Sequence, residues 1–250
     1  MSNIITLCCL FGMVIPPSIL NTLVYPVSKK LSMRISDYIV KTLAPRLFSI
    51  LTCYKHFRFI GYKDNFDKLP PQYMIISNHQ SLLDIPLFMR YLHERDLRFI
   101  AKAELSRHVP LVSEMLRTQE HCFISRRAKP VTTMKAIEQF ANRVLERNQI
   151  PVLFPEGTRT KDGNVGKFYS AGFRKLAQAT KLPVVLCALD GGWQISNIKT
   201  IMTKLTNGAY RVKVMKIYDS PQSKEAEAAI LDEAPALVQK QLDEWRSEKK

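Results

Sequence analysis

The feature that most constrains the fold is an alternation, from about residue 56 onward, between short apolar runs and longer stretches with helical spacing. The run Pro183–Leu189 is apolar at nearly every position, as expected of a strand that is covered on both faces. Strands that alternate with helices favour a largely parallel sheet. The sequence therefore predicts an α/β fold with a mostly parallel central sheet flanked by helices. In such a sheet the ligand site lies beyond the carboxyl ends of the strands.

The boundaries of the apolar runs and of the helical stretches give the predicted elements. The predicted strands are Phe57–Ile60, Tyr73–Ile76, Arg98–Ala101, His121–Ile124, Pro151–Phe154, Val184–Leu189 and Tyr210–Tyr218. The predicted helices are Ser81–His93, Leu111–Arg117, Val131–Arg147, Ser170–Thr180 and Ala226–Arg246.

The first 28 residues contain no charged side chain and are mostly apolar. Their length could span a bilayer, which needs about 20 apolar residues. Pro16 and Pro17 interrupt the segment, and they favour two short helices or a bent hairpin that enters one leaflet. A helix of the protein core is the alternative. A secretory signal peptide is disfavoured, because no basic residue precedes the apolar run.

A basic stretch follows this segment. Between residues 29 and 63 the only acidic residue is Asp37, whereas the basic residues are Lys29, Lys30, Arg34, Lys41, Arg46, Lys55, Arg58 and Lys63. Apolar residues recur among them at helical spacing, which is typical of an interfacial membrane anchor. The excess of basic residues predicts that this anchor lies on the cytoplasmic face of the membrane, which in a bacterium is the inner membrane. An ordinary surface helix is the alternative. We therefore divide the chain into N-terminal membrane-binding helices (1–55) and an α/β domain (56–250).

The composition narrows the class of partner. The formal net charge of +15 favours nucleic acid, an anionic membrane or a phosphorylated substrate. A nucleic-acid-binding protein is disfavoured, because the uncharged first 28 residues have no role there and no recognition motif is present.

The number of cysteines, five, is odd, and no C-x-x-C pair is present in the sequence. Both features argue against a disulfide framework and against a zinc site.

The stretch Asn78–Asp84 carries the first chemical motif. His79 follows a predicted strand and Asp84 comes five residues later, inside the first turn of a predicted helix. If Ser81 caps that helix, Asp84 also has the spacing of a capping box. A carboxylate on one imidazole nitrogen fixes the tautomer and leaves the other nitrogen free as a general base. Neither a G-x-S-x-G elbow nor a P-loop is present in the sequence, which indicates that the nucleophile is a hydroxyl of the substrate.

The second motif, Pro155–Arg159, follows the predicted strand Pro151–Phe154. Gly157 allows a backbone to approach a ligand in a tight turn. The guanidinium of Arg159 offers a planar fork that fits a phosphate. Glu156 has the chemistry to orient Arg159 or to hydrogen-bond a substrate hydroxyl. A surface turn with a Glu–Arg pair is the structural alternative.

Together these blocks resemble the N-H-x-S-x-x-D and P-E-G-T-R motifs of the glycerolipid acyltransferases, and in particular of the 1-acyl-sn-glycerol-3-phosphate acyltransferases of the PlsC family. The similarity extends to Lys102-x-Glu104-Leu105, to the basic pair after the strand that ends at Ile124, and to Leu182–Leu186. It covers about residues 56 to 220. Ser125 stands where the family usually has an acidic residue.

The resemblance implies an enzyme of phospholipid synthesis. It would move a fatty acyl group from acyl-CoA or acyl-carrier protein to the sn-2 hydroxyl of lysophosphatidic acid, which gives phosphatidic acid at an anionic membrane surface. His79 and Asp84 are then the catalytic residues. The substrate-binding residues are Lys102, Arg126, Glu156, Gly157, Thr158 and Arg159. We expect no metal and no cofactor besides the acyl donor.

Two alternatives remain at this point. The acceptor could instead be glycerol 3-phosphate, another lysophospholipid or a lyso-aminolipid. From another class, the chain could be a basic membrane-binding protein without catalytic activity.

Overall fold

A computed structural model describes residues 2–106, 113–125, 129–196 and 208–248. The strands are β1 (Arg58–Tyr62), β2 (Met74–Ser77), β3 (Leu97–Lys102), β4 (Cys122–Ile124), β5 (Ile150–Leu153), β6 (Val184–Asp190) and β7 (Ala209–Tyr218). The α-helices are α1 (Ser2–Val24), α2 (Lys29–Tyr38), α3 (Ala44–Lys55), α4 (Asp84–Tyr91), α5 (Ser113–Thr118), α6 (Pro130–Glu146), α7 (Ser170–Thr180) and α8 (Lys224–Ser247). A π-helical segment, Ile39–Leu43, joins α2 to α3.

The strands form one sheet in the order β1-β7-β6-β2-β5-β3-β4. The five strands from β6 to β4 are parallel to one another. β7 runs antiparallel to β6, and β1 pairs with β7 in parallel. The predicted α/β fold with a mostly parallel sheet is confirmed, and each predicted strand is present at its expected place.

Two apolar cores cover the two faces of the sheet. Side chains of α3 and α4 pack on one face, and side chains of α6, α7 and α8 pack on the other. The fully buried strand β6 contributes to both cores, since Val185 and Leu189 face α4 whereas Val184 and Leu186 face the opposite helices. This burial on both faces explains why the strand has no alternation of apolar and polar residues.

The N-terminal segment differs from the prediction. The expectation of two short helices or a bent hairpin is wrong, because α1 continues through both Pro16 and Pro17 as one helix of 23 residues. Proline removes backbone hydrogen bonds from a helix interior, so packing must offset the loss. α1 packs against α2, α3 and α5. Among the described residues, we find no helix with both the length and the apolar character needed to cross a membrane.

A buried polar cluster holds these helices together. The side chain of Asn21 on α1 donates to Oγ of Ser36 (2.9 Å) and accepts from Oγ of Ser32, both on α2. The Ser36 hydroxyl also lies 2.6 Å from that of Thr118 on α5. The basic helix α2 therefore buries its serines and leaves Leu31 exposed, which is the reverse of the usual amphipathic arrangement.

Candidate active site

A cavity of 420 Å³ lies beyond the carboxyl ends of three adjacent parallel strands, β2, β5 and β3. His79 follows β2, the segment Gly157–Arg159 follows β5, and Lys102 ends β3, and all three line this cavity. Strand termini of a parallel sheet meet at one edge, which is why motifs far apart in the sequence share one site.

The imidazole of His79 is held from two sides. Its Nδ1 lies 2.6 Å from Oδ2 of Asp84. Its ring stacks on Phe154, with the ring centroids 4.2 Å apart and the planes inclined by 12°. With Nδ1 engaged by a carboxylate, Nε2 is the nitrogen left to exchange a proton, as general-base catalysis requires. The sequence therefore predicted the pair correctly in space.

Asp84 is fully buried and lies in a dense set of hydrogen bonds. Besides His79, its Oδ2 accepts from the backbone N–H groups of Gln80 (2.7 Å) and Ser81 (3.1 Å). Its Oδ1 accepts from the hydroxyl of Tyr210. These donors stabilise the charged carboxylate and fix its orientation toward the imidazole.

The expected capping box is present only in part. α4 begins at Asp84, later than predicted, and its N-cap is Leu83 rather than Ser81. The backbone N–H of Ser81 does donate to the carboxylate of Asp84, as a capping box requires. Oγ of Ser81 accepts from the N–H of Leu83 (3.2 Å), so the serine stabilises the turn that precedes the helix. Asp84 thus both closes the turn and holds the histidine.

Side chains on either side of His79 attach its turn to β6. The amide of Asn78 donates to the carbonyl of Leu189 and accepts from the N–H of the same residue, both at 2.8 Å. Gln80 is fully buried, and its Oε1 accepts from the N–H of Gly192 (3.0 Å). These bonds fix the backbone on which His79 stands.

Glu156 has a different role from the predicted ones. Its Oε1 accepts from the backbone N–H of His79 (2.9 Å), and its Oε2 accepts from the N–H of Gly166 (3.1 Å). The side chain is buried, and burial raises the pKa of its carboxyl above the ordinary value, while the two amide donors oppose that shift. Glu156 therefore links the His79 turn to the loop after β5, since each of its two oxygens accepts from a backbone amide.

The three residues after Glu156 are exposed and line the cavity. Gly157 has φ +62°, a left-handed conformation that favours glycine. Thr158 and Arg159 are exposed and line the cavity, as does the exposed Lys102. The next residue, Thr160, donates its backbone N–H to the carbonyl of His79 (2.9 Å), which attaches the segment to the His79 turn. Arg126, the remaining predicted phosphate ligand, lies outside the described residues.

The rest of the cavity wall is largely apolar. Its apolar lining consists of Leu82, Ile85, Phe99, Ile100, Ala101, Leu105 and Phe154. A neighbouring cavity of 210 Å³ shares Ile100, Phe154 and Gly157 with it and extends toward Phe173 on α7. A base, cations and an apolar wall around one space suit a ligand with a charged end and an apolar chain.

His121 has a structural environment. It is buried and its Nδ1 accepts from the backbone N–H of Phe99 (3.0 Å). Burial, with the nearby Arg98 and Arg143, lowers the pKa of His121 to about 3. It therefore remains neutral at physiological pH. Within the described residues, no group of three histidine, cysteine or acidic side chains is arranged to hold a metal ion.

Sequence reasoning missed several residues that shape the site. Phe154 was assigned only to a strand, although its ring supports the imidazole. Tyr210 lies 126 residues from its partner Asp84, and no local pattern connects them. The turn that follows β6 also supports the site, because the backbone N–H groups of Gly192 and Trp193 donate to Oε1 of Gln80.

The sequence is similar to a family model and to several curated proteins. The sequence model of the acyltransferase family matches residues 62–190, which is slightly more than half of the chain. A 1-acyl-sn-glycerol-3-phosphate acyltransferase from Cocos nucifera is 33% identical over 134 residues, which are 52% of this chain and 42% of that protein. One from Helicobacter pylori is 32% identical over 130 residues, which are 51% of this chain and 52% of that protein. The matched segment spans about half the length of these curated relatives.

A solved structure has the same fold over nearly the whole chain. The 1-acyl-sn-glycerophosphate acyltransferase PlsC from Thermotoga maritima superposes with a TM-score of 0.67 at 20% identity, and the comparison covers 98% of both chains. At this identity the likeness concerns the fold. The family match includes both the His79 turn and the loop after β5, and on that evidence the chain belongs to the acyltransferase family.

Proposed function

We propose that this protein transfers a fatty acyl group from an acyl thioester to the sn-2 hydroxyl of lysophosphatidic acid, giving phosphatidic acid. The observation that carries the proposal is the His79–Asp84 pair, with Nδ1 and Oδ2 2.6 Å apart, beside a cavity that is lined by Arg159, Lys102 and apolar residues. The names of the relatives support the same acceptor.

The chemistry follows from the free imidazole nitrogen. Nε2 of His79 removes the proton of the acceptor hydroxyl as its oxygen attacks the thioester carbonyl. The C–O bond forms, the C–S bond breaks, and the proton passes from His79 to the departing thiolate. Asp84 stabilises the imidazolium while the proton resides there. Because a thiolate leaves readily, the acyl group needs no covalent intermediate on the protein.

The exposed cations are suited to the phosphate of the acceptor. Arg159 and Lys102 are both exposed to the cavity, at the ends of strands that flank one another in the sheet. Bidentate binding of a phosphate by a guanidinium fixes orientation as well as position. Holding the phosphate there would place the sn-2 hydroxyl near His79. We include Thr158, Gly157 and Arg126 in this binding region by the family resemblance.

The apolar wall is suited to the acyl chains. Phe99, Ile100 and Leu105 line the cavity on the β3 side, and the smaller neighbouring cavity continues the apolar surface. Burial of apolar chain contributes about 0.8 kcal/mol for each CH₂ group. Either acyl-CoA or acyl-carrier protein has the required thioester. Both are donors to be tested.

We also propose that the N-terminal helices bind an anionic membrane surface. α1 exposes Phe11, Ile19, Leu20 and Leu23, and the exposed Val27 and Leu31 continue this apolar surface onto α2. Exposed apolar residues on this scale are unusual in a soluble monomer. The basic residues of α2 and α3 add attraction to anionic lipid headgroups, about 1 kcal/mol for each cation near the surface.

An acyl-transfer assay on a panel of lysolipids tests the proposed reaction. Purified protein is given acyl-CoA or acyl-carrier protein together with lysophosphatidic acid, lysophosphatidylcholine, glycerol 3-phosphate or monoacylglycerol. We expect kcat/KM for lysophosphatidic acid to exceed that for monoacylglycerol roughly 10- to 100-fold, because charge-assisted hydrogen bonds to the phosphate are lost in the latter. Equal rates with monoacylglycerol would contradict the phosphate site, and no transfer to any acceptor would contradict the reaction.

Vesicle flotation tests the membrane surface. The variant Leu20→Ser/Leu23→Ser removes apolar area from α1, and we expect it to bind vesicles rich in phosphatidylserine more weakly than the wild type. Val131→Ser is the matched control, because Val131 is 78% exposed but lies on α6, on the other face of the sheet. Equal loss of vesicle binding in both variants would rule out a specific role for α1.

A further inference from the structure

The carboxylate that holds His79 has a partner from a distant part of the chain. Oδ1 of Asp84 accepts from the phenolic hydroxyl of Tyr210 on β7, whereas Oδ2 is occupied by His79 and by two backbone amides. Tyr210 is fully buried and lies beyond residues 62–190, the part of the chain that matches the family model. The hydroxyl therefore reaches the site from a strand that lies outside the segment matched by the family model.

The surroundings leave little freedom for the tyrosine. Its ring packs near Phe59, with the centroids 6.3 Å apart, within the core on the α4 side of the sheet. Gly192 gives its hydroxyl room, because a Cβ at that position would lie 2.1 Å from Oη of Tyr210. The N–H of the same glycine donates to Gln80, the residue after His79. The hydroxyl is thus placed by packing and by the turn after β6.

We propose that Tyr210 is a positioning residue for the acyl-transfer reaction, which orients Asp84 and partly neutralises its charge. Its hydrogen bond completes a buried series from β7 through Asp84 to His79. A carboxylate whose second oxygen has a fixed donor cannot rotate away from the imidazole. The proposal rests on the function proposed above in so far as it concerns rate.

The expected consequence concerns how tightly His79 holds a proton. A hydroxyl that donates to Asp84 withdraws part of the negative charge that the imidazolium would otherwise experience. Without that donor the carboxylate should bind the imidazolium proton more tightly, and the histidine should act as a base only at higher pH. Among the described residues, Glu156 interacts with both members of the pair, and the charged side chains of Lys102, Glu104 and Arg159 line the same cavity as His79. A substitution at Tyr210 replaces none of them.

The substitution Tyr210→Phe tests the proposal, since it removes the hydroxyl and keeps the ring. We expect kcat with lysophosphatidic acid to fall roughly tenfold and KM to stay within about twofold, because the hydroxyl contacts Asp84 and no substrate. The acid limb of the pH–rate profile should move to higher pH. A loss of packing alone would lower the thermal midpoint without moving that limb.

Tyr73→Phe is the matched control. Tyr73 is also fully buried in the same core, but its hydroxyl has no hydrogen-bond partner among the described residues. The control removes a buried hydroxyl without touching Asp84. We expect its kcat, KM and pH–rate profile to equal those of the wild type.

A second readout keeps this proposal separate from the proposed reaction. The rate at which diethyl pyrocarbonate modifies His79, followed by peptide mass spectrometry across a pH series, reports on its neutral form without any substrate. In Tyr210→Phe the midpoint of that series should move to higher pH. If this midpoint matches that of the wild type, Tyr210 has no positioning role, whether or not acyl transfer occurs. If the wild type transfers no acyl group but the midpoint moves, only the proposed reaction fails.

Discussion

The two loops that meet at the cavity are built in opposite ways. In the turn from Asn78 to Asp84, the side chains of Asn78, Gln80 and Asp84 are buried and hydrogen-bonded to elements that are distant in sequence. In the loop after β5, Thr158 and Arg159 are exposed to the cavity. A group that exchanges protons needs a fixed geometry, whereas a group that binds a phosphate needs access and charge. The first loop should therefore control kcat and the second should control KM.

Asp84→Asn should have the largest effect of the substitutions that distinguish the two loops. The amide keeps the shape of the carboxylate but cannot stabilise the imidazolium, and it can favour the wrong tautomer of His79. We expect kcat to fall about 10²- to 10⁴-fold with little change in KM for lysophosphatidic acid. Steady-state kinetics measure both quantities.

Asp96→Asn is the control for this change, because Asp96 is half-exposed and precedes β3, at the opposite end of the strands from the cavity. If Asp84→Asn changed KM as strongly as kcat, the assignment of the first loop to the chemical step would be wrong.

Glu156→Gln affects the link between the two loops, and its expected effect is intermediate. The glutamine can still accept from one backbone amide, but its NH₂ group would face a second donor. A buried donor without an acceptor costs about 1–3 kcal/mol. We expect kcat to fall roughly tenfold, because His79 loses part of its backbone support, and we expect the thermal midpoint to decrease.

The pH dependence of stability gives an independent test of Glu156. Burial raises its pKa above the ordinary 4.5, so the folded state holds this proton more tightly than the unfolded state. The contribution of the protonated Glu156 carboxyl to the free energy of unfolding is therefore complete below the ordinary pKa. It is lost as the pH rises through the raised pKa of the folded state. Thermal melts at several pH values should show this slope in the wild type and lack it in Glu156→Gln. Parallel curves for the two proteins would rule out a raised pKa.

Arg159→Ala should have the smallest effect on kcat and should change KM instead. Removing the guanidinium takes away a charge-assisted contact to the acceptor phosphate, so KM for lysophosphatidic acid should rise roughly tenfold while kcat stays within about twofold. Arg95→Ala is the matched control, because Arg95 is exposed before β3, at the opposite end of the strands. A fall in kcat with unchanged KM would place Arg159 in the chemical step instead.

The sequence predicted the exposed loop and the fold class better than the hydrogen-bond network that holds the His79 turn. Short apolar runs are local signals, and each predicted strand is present. His79 and Asp84 are also close in sequence, so their pairing was accessible. The bonds from Tyr210 and Glu156 join residues 126 and 77 positions apart, and such contacts depend on strand order, which local patterns do not specify.

The N-terminal helices show the other limit of local reasoning. Two consecutive prolines predicted a break, but α1 is continuous because its packing against α2, α3 and α5 outweighs the local preference. The burial of the serines on α2 could not be predicted either, since an apolar pattern does not show that Asn21 supplies their hydrogen-bond partners.

The most direct test of the central claim is the kcat of His79→Ala beside that of the control His93→Ala. His93 follows α4, and its side chain is 66% exposed. The account predicts that His79→Ala loses about 10²- to 10⁴-fold in kcat with lysophosphatidic acid and acyl-CoA, while His93→Ala matches the wild type. Full activity in His79→Ala would contradict the claim that its imidazole activates the acceptor hydroxyl.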